Sequence, residues 1–250
     1  MKLPLLHKAL ATILALGISV PLLAAGHAVK YHVNIPPSVD LSYKIMSRQK
    51  GFPVEGEAVV KWEAADKKFS VANEARAMLV GKILDARSEG VIDDYGLAPT
   101  SFTEKRFRKG ATTTSFDRSA GVIRFSGSEE TYPLSGGEQD RSSAVWQLIA
   151  IARAAHGKFK PGSEWTFSVA GRNDAHAWTF KVLKQEKIET ALGTLNTLHV
   201  TRVHEPDSGD QQIDIWLAPQ QEWYPARIRY SESDGDYIEQ TLESISKKSF

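Results

Sequence analysis

The sequence predicts a mainly β protein, an antiparallel meander forming a curved or incompletely closed barrel with one principal α-helix. Three observations predict it. From Leu41 onward, apolar and polar residues alternate in short segments, the period of a half-buried strand. Turn residues separate these segments at short intervals, so consecutive strands pair as neighbours rather than crossing over. A single segment switches to helical spacing. A sheet of about a dozen strands curls or closes rather than staying flat.

The segments run in order. Residues 41–48 end at Gly51-Phe52-Pro53, and 55–62 end at Ala65-Asp66-Lys67. Residues 69–78, 83–92 and 102–107 follow, punctuated by Asp93-Asp94-Tyr95-Gly96 and by Lys109-Gly110. Residues 112–116 and 122–125 flank a turn in which Gly121 is available for a positive φ. Residues 142–155 then place Val145, Leu148, Ile149 and Ala152 on one helical face. Asp140, Ser142 or Ser143 caps this helix and His156-Gly157 ends it. Strands return at 165–169, 176–183, 195–203, 213–217, 223–230 and 237–245.

The last hairpin can be registered from its faces. Tyr224, Ala226, Ile228 and Tyr230 share one face of their strand, and Arg227 and Arg229 share the other. A two-residue Asp234-Gly235 loop mixes apolar and polar faces across the pair. A three-residue loop, Ser233-Asp234-Gly235 with Gly235 left-handed, sets Arg229 opposite Glu239, Ile228 opposite Gln240, Tyr230 opposite Ile238 and Ala226 opposite Leu242. Burial of one face sets register, so the three-residue loop is expected.

The start of the chain carries an address. Lys2, His7 and Lys8 precede a charge-free run over residues 9–26 that ends in Ala24-Ala25-Gly26-His27-Ala28, the layout of a secretory signal peptide. A permanent anchor is the rival, but the run is near the lower limit for a bilayer span and holds Gly17 and Pro21. Cleavage is expected near residues 25–28, after Ala25 or Ala28. Residues 29–250 are then one β-rich domain, periplasmic, monomeric and without a stable membrane span. No cysteine follows to carry a lipid.

Composition narrows the chemistry. Without Lys2 and Lys8, 29 basic residues face 30 acidic ones, which argues against a nucleic-acid binder and against overall charge attraction to a membrane. The absence of Cys removes thiol catalysis and zinc–thiolate sites. No Gly-x-Ser-x-Gly elbow and no Gly-rich phosphate loop before a helix is found. The His spacing suggests no metal site: His199 and His204, five apart on one strand, face opposite ways. No catalytic residue, metal or cofactor is therefore assigned.

Three clusters remain, each with a structural and a functional explanation. Lys105-Arg106-Phe107-Arg108-Lys109 either protects an edge strand or meets an anionic partner. Gln139, Asp140 and Arg141 either cap the helix and pair locally or line the opening of the curved sheet. Trp146, Trp178, Trp216 and Trp223 are either core aromatics or the lining of an apolar cavity. The candidate ligand-binding set is Gln139, Asp140, Arg141, Trp146, Trp216 and Arg227.

Several motifs carry a family likeness. They are Gly96-Leu97-Ala98-Pro99, the basic strand at 102–110, Gly137-Glu138-Gln139-Asp140-Arg141-Ser142, Gly193-Thr194-Leu195 with Leu198-His199, Trp216-Leu217-Ala218-Pro219 and Pro225-Ala226-Arg227-Ile228-Arg229. In this order, over nearly all of the mature chain, they resemble the secreted domain-of-unknown-function family 3108 of Gram-negative bacteria. The resemblance implies export and supplies neither an activity nor catalytic residues. A looser likeness of architecture is to half-open barrels that carry lipoproteins across the periplasm, a fold-level analogy. The expected function is non-enzymatic binding of an apolar or amphipathic ligand, a lipid or lipidated protein, in the cell envelope. The alternatives are an envelope hydrolase acting on cell-wall glycans through Asp140, His176 or His199, and an envelope scaffold.

Overall fold

The structure, a computed structural model, describes residues 29–155, 157–204 and 211–248. The expected signal peptide and its cleavage point lie outside the described residues, as does His156 at the expected helix end.

The first half comprises β1 (Val39–Gln49), β2 (Phe52–Ala65), β3 (Lys68–Ala77), β4 (Gly81–Asp93), β5 (Gly96–Arg106), β6 (Thr112–Asp117), β7 (Val122–Phe125) and β8 (Ser128–Pro133). A two-residue β9 (Gln139–Asp140) leads into α1 (Ser143–Ala154). The second half comprises β10 (Glu164–Ala170), β11 (Ala175–Thr190), β12 (Gly193–Val203), β13 (Gln212–Leu217), β14 (Pro225–Ser231) and β15 (Tyr237–Lys247). All fifteen belong to one sheet, ordered β8-β7-β6-β5-β4-β3-β2-β1-β15-β14-β13-β12-β11-β10-β9. Every pair is antiparallel except β9 with β10. The sheet is curved and not closed into a barrel: β8 and β9 are its two free edges.

Side chains bridge those edges. Ser88 Oγ donates to Asp140 Oδ2 at 2.5 Å, and Gln139 Nε2 donates to the Leu97 carbonyl at 2.6 Å. Thr114 Oγ1 donates to the Gly171 carbonyl at 2.8 Å. Ala170 and Ala175 from the β10–β11 turn pack with Phe102, Phe116, Ile123 and Phe125. The curl is thus joined along its seam by individual contacts from β4, β5 and β6.

One end of the curl is filled. Trp62 and Trp146 stack with ring centres 4.4 Å apart and planes 9° from parallel, and Tyr224 meets Trp146 edge-on. Leu148, Ile149 and Ile151 of α1 are fully buried against the sheet. The chain ahead of β1 seals this end. Asn34 N–H donates to the Ala150 carbonyl, Trp62 Nε1 to the Pro36 carbonyl, and the Tyr224 hydroxyl to the Pro37 carbonyl, at 2.9, 3.1 and 2.9 Å.

The helix lies where its spacing predicts, and the last hairpin has the expected register. Arg229 faces Glu239, Ile228 faces Gln240 and Tyr230 faces Ile238, with Gly235 at φ 89°. Ala226 differs: it packs with Ile188, Trp216 and Ala218 rather than with the face of Ile228. The partner strand β13 shifts register between Trp216 and Leu217, which breaks the simple alternation there. The edge assignment for Lys105 to Lys109 is also corrected. β5 lies between β4 and β6, and the acidic edge strand is β8, with Glu129, Glu130 and Pro133. That edge resists pairing by charge and by proline, as edges do.

Candidate binding site in the mouth of the curled sheet

The hairpin turns alternate between the two ends of the curl. The turns after β1, β3, β5 and β14 lie at the end opposite the seal, and α1 does not extend there. This open end is lined by the inward residues of the same strands that form the core. On β5, Phe102 is buried in the core, and the same face continues to Glu104 and Arg106. Two-residue periodicity therefore carries charged side chains inward once the strand passes the helix.

These charges form a group. Arg106 Nε lies 2.7 Å from Glu104 Oε1, and Arg172 Nε lies 3.6 Å from the same oxygen, so the buried carboxylate bridges β5 to the turn after β10. On the other wall, the Arg202 guanidinium lies over the Trp178 ring at 4.4 Å. Burial raises the pKa of Tyr230 above its ordinary value, which keeps a neutral phenol among these cations.

Arg141 stands at the centre. Its guanidinium lies against Gly171, so that a Cβ there would sit 3.1 Å from Nε and Nη2. No ion pair or hydrogen bond ties it to another described residue. Its side chain is accessible to water, yet protein surrounds it closely enough that burial lowers its pKa. Repulsion from Arg106 acts in the same direction, and Glu104 and Asp174 oppose both. It also borders the cavity below, so the side chain stands in a hollow rather than pointing away from the surface.

Beneath Arg141 is an apolar cavity of about 80 Å³, bordered by Tyr43, Ala75, Leu84, Trp146, Ile228 and Tyr230. This volume is the share of about three liquid waters. Toward the sealed end, Trp62, Phe69, Trp146 and Tyr224 pack against one another beside it.

The predicted site residues fall into two groups. Arg141 and Trp146 border this cavity together, whereas Gln139 and Asp140, next to Arg141 in the chain, do not line it. Gln139 and Asp140 are buried and tie the seam, with Asp140 Oδ1 also accepting from the N–H groups of Ser142 and Ser143 at the start of α1. Trp146 is core and borders the cavity, and Arg141 is the member that presents charge to it. Trp216 and Arg227 are brought to each other but not to this group. They pair across β13 and β14 on the outer face. Glu104, Arg172, Arg202 and Tyr230 escaped sequence reasoning, and Arg106 figured in it only as part of the basic cluster at 105–109. For Glu104 and Arg106, their alternation in phase with Phe102 was the available signal.

The outer face holds the histidine of interest to a hydrolase. His199 Nε2 lies 2.8 Å from Asp214 Oδ1, and Nδ1 lies 3.6 Å from Glu186 Oε2. The ring stacks on Trp216 at 4.4 Å, while Trp216 Nε1 donates to Glu186 Oε2 at 2.8 Å. The imidazole is held flat between two carboxylates, an arrangement that ties β11, β12 and β13 together. His176 and Asp174 are 3.5 Å apart, and both are largely exposed. Among the described residues, no group of three or more His, Asp or Glu side chains is arranged to hold a metal ion. No described helix is long and apolar enough to cross a membrane.

Comparison with known proteins gives one family match and a set of remote structural similarities. The model of a family described as a protein of unknown function, DUF3108, matches residues 39–243. No curated protein matches. A candidate lipoprotein from Parabacteroides distasonis ATCC 8503 is similar at 12% identity, covering 87% of this chain and 99% of that one, with a TM-score of 0.34. The Mycobacterium tuberculosis lipoprotein LppX is similar at 10% identity over 84% of this chain and 88% of that one, with a TM-score of 0.28. The hypothetical lipoprotein YmcC from Escherichia coli K12 is similar at 12% identity over 82% and 84%, with a TM-score of 0.30. Similarity at this level transfers neither fold detail nor activity.

Proposed function

This chain belongs to the DUF3108 family, and we propose that it is a non-enzymatic binding protein of the cell envelope. Its open interior takes an anionic amphiphile, with the acidic head at Arg141 and a short apolar end beside Trp146. The charge-free run at residues 9–26 supports work outside the cytoplasmic membrane. One observation carries the ligand reading: Arg141 is a cation without an ion pair to a described residue, in a concave, partly desolvated opening directly above an apolar cavity. Placing an anion there supplies a charge-assisted partner, and an adjacent apolar group fills space that is otherwise only water-sized. The small cavity limits how much of the ligand is enclosed. A lipid or lipidated protein would therefore be held by its head and its first carbons.

The test is a titration with 1-anilinonaphthalene-8-sulfonate, an anionic apolar fluorophore, after checking that each variant melts like the wild type. Loss of a charge-assisted contact is worth ~1.5–3 kcal/mol, so Arg141→Ala should weaken binding about tenfold or more. Lys187→Ala, on the exposed outer part of β11, should leave affinity within about twofold. Absence of saturable binding, or equal losses in the two variants, overturns the assignment.

A further inference from the structure

Three neighbouring hairpins at the open end, those joining β1 to β2, β3 to β4 and β5 to β6, end in exposed apolar side chains. Leu79 is 96% exposed, Met78 77%, Phe52 73%, Val80 52% and Phe107 42%. Strands β1 to β6 are consecutive in the sheet, so these tips stand in a row, each about 10 Å from the next. Soluble proteins scatter exposed apolar residues singly, and a row of them at one end marks a surface that meets something apolar.

The charge around them is one-sided. Residues 47–54, 76–82 and 105–111 together hold eight Lys and Arg and no Asp or Glu, in a chain whose totals are 31 and 30. Three of the eight are paired on the strands behind the tips: Arg76 and Lys82 with Glu74, and Arg106 with Glu104. Arg48, Lys50, Lys105, Arg108 and Lys109 make no ion pair with a described residue. Next to the β1–β2 tip, the β14–β15 turn carries the opposite sign, with Glu232, Asp234 and Asp236 and no base between residues 231 and 236, and Asp236 Oδ2 accepts from the Lys50 N–H at 2.6 Å.

We propose that these three tips form a docking surface for an anionic lipid bilayer. Met78, Leu79, Val80, Phe52 and Phe107 enter the interfacial region, while the unpaired Lys and Arg side chains lie at the headgroups. Apolar side chains ringed by basic ones are the combination that binds such an interface, since each adds to the attraction of the other. The acidic β14–β15 turn, the next hairpin in the same row, is repelled by that surface, so it bounds the contact on the side of the β1–β2 tip. The mouth around Arg141 then opens next to the membrane rather than away from it. A rigid protein partner would need complementary pockets for three separate protruding tips, whereas a fluid interface accepts them as they are. The docking surface does not depend on whether the interior binds a ligand.

The experiment uses the chain from residue 29, which contains the whole described fold and lacks the apolar leader. It should co-sediment with vesicles of phosphatidylglycerol and phosphatidylethanolamine, and about tenfold less with phosphatidylcholine vesicles. Leu79→Asp, and separately Lys50→Glu with Lys109→Glu, should each lower binding to the anionic vesicles about tenfold. These positions are exposed, so the melting temperature should not change. Leu79→Trp should add blue-shifted emission when anionic vesicles are supplied. The proposal is overturned by no vesicle binding, by binding that the substitutions leave unchanged, or by emission from the introduced indole that stays at its value in water. Capture of a protein partner through these tips in place of vesicles overturns it as well. Loss of fluorophore binding in Arg141→Ala with normal vesicle binding would leave it standing, so the two assignments fail separately.

Discussion

Ser88 and Asp140 face each other across the seam of the curl, 2.5 Å from hydroxyl to carboxylate, where no backbone ladder joins β4 to β9. The same carboxylate caps α1 through the N–H groups of Ser142 and Ser143. A single fully buried side chain therefore holds both the helix entrance and the edge of the sheet.

Burial pushes the Asp140 carboxyl from 3.8 up to about 6, against the hydrogen bonds from Ser88, Ser143 and Ser142. Between these values the folded protein binds more protons than the unfolded chain, so this group's contribution to stability falls as pH rises from about 4 to about 6. The difference across that window is about 2–3 kcal/mol. Asp140→Asn keeps an acceptor for the cap without the charge, so it should abolish this part of the pH dependence. Urea denaturation of both proteins at each end of the window checks it, and identical pH slopes would count against the assignment.

Trp146→Ala removes the stack on Trp62 and the edge contact with Tyr224 at the centre of the core. Truncation of a buried Trp costs ~3–5 kcal/mol, and the existing cavity beside it would enlarge. Denaturant midpoints should show the loss. Fluorophore binding, corrected for stability, should not be abolished, because Arg141 remains.

Gly96 and Gly121 both have positive φ, 100° and 67°, but their surroundings differ. A Cβ at Gly121 meets nothing within 4 Å, whereas at Gly96 it would lie 2.5 Å from Gln147 Oε1. That oxygen accepts from Leu97 N–H, and Gln147 Nε2 donates to the Tyr95 carbonyl. Gly121→Ala should cost about 1 kcal/mol from backbone strain alone. Gly96→Ala should cost ~2–4 kcal/mol, since it also displaces a buried amide. Melting of the two variants side by side tests the order.

Arg229 and Glu239 form a partly exposed pair at 3.4 Å, and Arg227 approaches the same carboxylate at 3.5 Å. A double-mutant cycle on Arg229 and Glu239 should give a coupling of only ~0.2–1 kcal/mol. A larger value would mean that the carboxylate depends on Arg229 far more than its shared position suggests.

Local patterning made much of this legible. The helix spacing of Val145, Leu148, Ile149 and Ala152 located α1, and face matching gave the register of Arg229 with Glu239. Contacts between residues far apart in sequence were not legible. Gln139 and Asp140 read as residues of a helix entrance, but their partners Leu97 and Ser88 lie on β5 and β4, and nothing local announces a seam. β8 was missed because Glu129-Glu130 reads as a turn when the strand has no apolar face to bury. Trp216 and Arg227 have the residue types of a ligand site, but they occupy the face opposite Arg141. Sequence displays alternation along a strand without saying which phase points inward.

The strand order has a consequence for how this molecule is made. Strands β1 and β15 lie side by side at the middle of the sheet, while β8 and β9 occupy the edges. A chain emerging from a ribosome can zip β1 to β8 from successive hairpins, yet β1 waits with one side bare until the final strand arrives. Closing that gap joins residues about two hundred positions apart, a long loop whose entropy is lost late. Any factor that guards this chain while it folds should therefore be needed up to the moment β15 docks, and docking of that last strand should be the slow step of folding.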